Sequence, residues 1–137
     1  IIFTFIAGIL SAQHIARILQ DYKQNNDLDR KFKAVNILAS KQYMPIFSEF
    51  VTRLLEATPT SGVRDGSIDK LRVVIAKNLK LYAGVPYDKI SREMEMLIRF
   101  FDTPAELELQ AELAYSVSVI LAKNGVEMHK VFFIRET

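Results

Sequence analysis

The sequence predicts an all-α fold: a helical bundle of about five helices, led by a long N-terminal helix that reads as the end of a transmembrane segment. Three observations lead there. Apolar residues recur at intervals of three and four through five segments, the period of a helix with one buried face. The four Pro and most of the five Gly fall between those segments, where helices begin and end. The first dozen residues are instead apolar on all sides, and no Asp, Glu, Lys or Arg occurs before Arg17.

A length of 137 residues suits one domain with a real core. Half the residues are hydrophobic and a quarter are charged, an ordinary globular composition that excludes wholesale disorder. A net charge of +2 is too small to imply a nucleic-acid partner, and none is expected. The absence of Cys excludes disulfides, thiolate-ligated zinc and thiol catalysis.

Within the first helix, residues 1–12 supply about half of the ~20 apolar residues that a bilayer span requires. Phe3, Phe5, Ile6, Ile9 and Leu10 point in every direction, whereas a core helix shows a stripe. The flank that follows is basic, with Arg17, Lys23, Arg30, Lys31, Lys33 and Lys41 set against Asp21, Asp27 and Asp29. An excess of Lys and Arg beside a span marks its cytoplasmic side. The preferred reading is therefore the end of a longer apolar helix that begins ahead of Ile1. A buried core helix and an interfacial helix are the alternatives.

On that reading Ile1, Ile2, Phe3, Phe5, Ile6, Ile9 and Leu10 contact the inner or plasma membrane, and residues after about 13 are cytoplasmic. Arg30, Lys31 and Lys33 then face anionic lipid, each contributing about 1 kcal/mol of attraction. The solvated helix face is the plain alternative. Residues 1–24 form the membrane helix and stalk, and 25–137 the bundle. No Gly or Pro lies between Ser11 and Gln24, so the stalk is expected to be rigid. Inserting two or three Gly after Gln20 is expected to uncouple membrane and bundle while leaving the bundle folded.

The first helix continues amphipathically through Ile15, Ile18, Leu19 and Tyr22, and stops at Asn25-Asn26-Asp27, residues that favour caps and turns. A second begins near Leu28, burying Phe32, Val35, Leu38 and Ala39. It is broken or restarted at Pro45, beyond which Ile46, Phe47, Phe50, Val51, Leu54 and Leu55 form the most apolar face of the chain. Thr58 to Gly66 is a loop, and Ser67 an N-cap for a third helix. That helix carries Ile68, Leu71, Val74, Ile75, Leu79 and Tyr82 to a stop at Gly84.

A fourth helix is expected from Tyr87 to Phe101, with Ile90, Met94, Leu97, Ile98 and Phe101 inward and a Glu95–Arg99 pair outside. Thr103-Pro104-Ala105-Glu106 reads as a capping box. The helix it opens carries Leu109, Leu113, Val117 and Ile120 to a stop at Asn124-Gly125. Val131, Phe132, Phe133 and Ile134 suit an extended arm or short helix across the bundle.

Chemistry-bearing motifs are absent. His14 and His129 lie far apart, and no His/Glu spacing suits a metal. No phosphate loop, dinucleotide turn or nucleophile elbow occurs. Asp88, Glu93, Glu95, Glu106, Glu108 and Glu112 would permit carboxylate acid/base work, but read more simply as a solvated face. No catalytic residue, cofactor or metal is expected. Asn78 stands within the third helix's apolar stripe, where a buried amide must find partners or lose roughly 1–3 kcal/mol. It is expected to hold a neighbouring turn or set helix register.

Around Asn78-Leu79-x-x-Tyr82-Ala83-Gly84-Val85 the chain resembles small bacterial membrane-anchored proteins with a cytoplasmic helical domain. Some of these act as membrane effectors in anti-phage defence. The resemblance implies no catalytic residue. It implies a non-enzymatic, effector-like module whose bundle self-associates or binds a protein partner and so controls its membrane segment. The basic 14–41 and acidic 88–112 regions are complementary, which favours a homo-oligomer. The alternative is a soluble all-α regulatory protein whose apolar first helix is buried in the core or an interface.

Overall fold

The computed structural model describes residues 2–56, 66–101 and 107–126, with side chains from residue 12 in the first stretch and residue 70 in the second. Among the described residues the fold is all-α and contains no strand. Six α-helices follow in order: α1 (Ile2–Gln24), α2 (Leu28–Ser40), α3 (Phe47–Leu55), α4 (Gly66–Asn78), α5 (Ser91–Phe100) and α6 (Leu107–Lys123). The capping box at 103–106, the aromatic tail, His129 and the side chains of residues 1–11 lie outside the described residues, while α4 already begins at Gly66 and so places Ser67 within the helix rather than at its N-cap.

Six helices stand where about five were expected because the second one divides. α2 closes in a Schellman turn: the Gln42 amide donates to the Ala39 carbonyl at 2.9 Å and the Tyr43 amide to the Leu38 carbonyl at 3.0 Å. Gln42 takes the left-handed conformation (φ 51°) that this turn requires. Pro45 then sits in a 3-10 turn, Met44–Ile46, that feeds α3.

The expected third helix also changes character. It is α-helical to Asn78 and continues as a 3-10 stretch, Leu79–Gly84. In a 3-10 helix residues three apart eclipse, and the two buried side chains of this stretch, Leu79 and Tyr82, have that spacing. Three contacts from distant segments hold it. The Tyr82 hydroxyl donates to the Tyr43 carbonyl at 2.8 Å, the Gln42 side-chain amide to the Leu81 carbonyl at 3.1 Å, and the Asn124 side-chain amide to the Ala83 carbonyl at 3.3 Å. A Cβ at Gly84 would come within 2.8 Å of the Gln42 side-chain amide nitrogen, so a larger residue there would displace that exposed side chain and its bond to Leu81. The fourth helix likewise begins as a 3-10 turn, Tyr87–Lys89, before α5.

The core lies where α2, α4, the 3-10 stretch and α6 meet. Val35, Leu38, Phe47, Phe50, Leu54, Ile75, Met94, Leu97, Leu113 and Ile120 are all buried there. Two buried polar side chains donate to backbone carbonyls. Ser116 on α6 donates to the Ala76 carbonyl of α4. Buried Arg72 donates from Nε to the Arg53 carbonyl and from an Nη to the Leu54 carbonyl, capping the end of α3. Glu95 and Arg99 are both exposed and form no ion pair, since water solvates each as well as the other would.

Candidate anion-binding groove

α1 runs unbroken from Ile2 to Gln24 and leans mainly on α2. Asp27 caps α2 by accepting from the Asp29 amide at 3.0 Å. The intervening Asn25 accepts the Asp27 amide at 2.8 Å, which tightens the connection into an antiparallel hairpin. Two sets of residues face each other across it: His14, Arg17, Ile18 and Asp21 from α1, and Arg30, Lys33, Ala34 and Ile37 from α2. Each set has i, i+3, i+4, i+7 spacing, the stripe one helix presents to another.

Together they line a groove of about 290 Å³. Its floor is apolar, with Ile18 and Ala34 buried and Ile37 half-buried. Its rim carries the exposed cations Arg17, Arg30 and Lys33, with exposed His14 beside them. Asp21 is the one acid in the lining, and its Oδ1 is turned to the Asn25 amide at 3.4 Å. Among the described residues the ion pairs belong to Arg53, with Glu49 and Glu56. Among the described residues the three groove cations therefore have no ion-pair partner. A long cationic side chain keeps its charged head in water while its stem covers an apolar floor. The result is a small pocket with positive potential at its mouth.

Of the residues expected to meet anionic lipid, Arg30 and Lys33 line this groove, while Lys31 is half-buried and does not. His14, Arg17 and Asp21 join them only through the hairpin; the signal in the sequence was their shared spacing with Ile18. Ile1, Ile2, Phe3, Phe5, Ile6, Ile9 and Leu10 have side chains outside the described residues. Among the described residues no helix is long and apolar enough to cross a membrane.

Asn78 is nearly buried at the end of α4. Its Oδ1 accepts from the Asn36 amide of α2 at 2.8 Å, and its own amide donates to the Val74 carbonyl at 2.8 Å. It bridges two helices.

Asp88, Glu95 and Glu108 are exposed and Glu93 and Glu112 half-buried, while Glu106 lies outside the described residues. No group of three His, Cys, Asp or Glu among the described residues has metal-holding geometry. Burial and nearby Glu95 push the Tyr87 hydroxyl pKa up, so it stays protonated at neutral pH. No protein-family model, no curated protein and no solved structure matches the chain.

Proposed function

We propose that this chain is a membrane-anchored, non-enzymatic helical module. Its bundle self-associates or binds a protein partner and thereby controls the membrane segment, in the manner of an effector. The observation that supports it is the continuity of α1. One helix carries the apolar run from Ile2 through to Ile18 and Tyr22, which belong to the bundle core. Rotation or displacement of the bundle then passes directly to the apolar end, as a flexible linker would not allow. Residues 1–10 form the membrane-contacting end. Residues after about 13 lie on the cytoplasmic side of the inner or plasma membrane.

Carbonate extraction of membranes from cells making the natural protein tests the anchor. Retention in the membrane pellet is the expected result. Release into the soluble fraction would overturn it and leave the alternative, a soluble regulator whose first helix is covered by a partner. Coupling is tested by placing two Gly after Ala12, where Ala12, Gln13 and His14 are all exposed. The variant should remain membrane-bound and folded but lose its cellular effect. An unchanged effect would reduce α1 to a tether. Sedimentation of the full chain in detergent reports whether the partner is a second copy.

A further inference from the structure

We infer that the α1–α2 groove is a binding site for the phosphate of an anionic lipid headgroup, a site that rests on the membrane-anchored reading above. Arg17, Arg30 and Lys33 converge on one concavity with a single carboxylate, Asp21, which forms no ion pair with them and leaves the lining cationic by two charges, and His14 adds a further polar group at its rim. Guanidinium groups bind phosphate oxygens through paired N–H donors, and an ammonium adds a point charge. A groove of about 290 Å³ takes a headgroup phosphate and glycerol rather than a large ligand.

At 1.5 Å rise per residue, His14 lies about 6 Å and Arg17 about 10 Å along α1 beyond Leu10, the last membrane-contacting residue. Helical side chains lean toward the N-terminus, so Arg17 reaches back toward the apolar end. The polar layer of a bilayer is several ångströms deep beyond the hydrocarbon. Arg17 is thus at phosphate depth when the apolar run is inserted. The buried floor at Ile18 keeps water from one side of the bound phosphate.

The test is flotation of the full chain with phosphatidylcholine vesicles, with and without added phosphatidylglycerol. Three proteins are compared: the unaltered chain, R17Q/R30Q/K33Q, and K23Q/K31Q/K41Q, which removes the same charge outside the groove. A cation near an anionic surface contributes about fivefold in partition, so three contribute roughly a hundredfold. The groove variant should lose most of the phosphatidylglycerol preference while keeping its binding to phosphatidylcholine and its circular-dichroism melt. The other variant should lose far less. Equal losses in the two triples would mean diffuse surface charge and would overturn the groove. Flotation with no phosphatidylglycerol preference would overturn the groove and leave the anchor standing. No flotation on any vesicle would overturn the anchor. Calorimetric binding of glycerol 1-phosphate in that last case would make the ligand a free phosphate and overturn the lipid assignment.

Discussion

Asn36 donates its side-chain amide to Asn78 Oδ1 at 2.8 Å, tying α2 to the last residue of α4 just where the chain tightens into its 3-10 stretch. Asn78 is nearly buried and Asn36 exposed, so the two should differ in cost. Asn78→Ala should lower stability by about 1–3 kcal/mol in urea unfolding, and Asn36→Ala by about 0.5–1 kcal/mol. A double-mutant cycle should show coupling of about 0.5–1.5 kcal/mol. Strictly additive losses would mean that the pair does not join the helices.

Two fully buried tyrosines make an internal comparison. The Tyr82 hydroxyl donates to the Tyr43 carbonyl, and its ring sits 4.7 Å from that of Phe47. The Tyr22 ring meets Phe50 edge-on at 5.4 Å, but its hydroxyl has no hydrogen-bond partner, although Glu49 and Arg53 are its polar neighbours. Tyr82→Phe should cost about 1–2 kcal/mol, because the Tyr43 carbonyl is orphaned. Tyr22→Phe should be neutral or stabilising, since it removes a buried, unmet hydroxyl. The reverse order in thermal unfolding would contradict these assignments.

The same two groups set the alkaline limit. Burial raises both hydroxyls well above their ordinary value of 10.0, for Tyr22 with help from the Glu49 carboxylate. A pKa raised on folding gives stability that is complete below the unfolded value and is lost as pH rises toward the folded one. Stability should therefore be insensitive to these groups below about pH 10 and fall above it. Tyr22→Phe should flatten that fall, which a series of urea titrations between pH 8 and 11 would show. An identical slope in the variant would exclude Tyr22 as a cause.

Two helices end in the same turn with different residues. α6 closes with Gly125 at φ 69°, the Val126 amide donating to the Leu121 carbonyl at 2.9 Å. A Cβ at Gly125 meets nothing within 4 Å, so the cost of Gly125→Ala is conformational alone, about 1 kcal/mol. At the end of α2, Gln42 bears that strain and returns a hydrogen bond to the Leu81 carbonyl. Gln42→Ala should cost about 0.5–1.5 kcal/mol, and Gln42→Gly less, because glycine relieves the backbone. Melting temperatures that rank Gln42→Ala above Gln42→Gly would contradict the strain.

Burial also moves the place at which α1 can be interrupted. An insertion after Gln20 was expected to spare the bundle, but Ile18 and Tyr22 on either side are both core residues. Two or three Gly there should lower stability by several kcal/mol by rotating one of them out of the core. The exposed stretch at Ala12–His14 is the tolerant position.

Helical period was legible in the sequence because it is a local property. Ile18 and Tyr22, Val35 and Leu38, and Leu109, Leu113, Val117 and Ile120 were placed inward by their spacing, and all are buried. The stop at Asn124-Gly125 was legible for the same reason, since the positive φ that closes α6 is one glycine supplies without strain. Tertiary structure decided what depends on a partner far along the chain. Tyr82 meets a carbonyl 39 residues away and Ser116 one 40 away, so neither the 3-10 stretch nor a buried serine has a local signature. The groove is of that kind too. Arg17 and Lys33 are ordinary surface cations on their own helices, and only the packing of α1 on α2 sets them around one apolar floor. Periodicity tells which face of a helix is apolar; which polar groups that face will meet is settled by the helix packed against it.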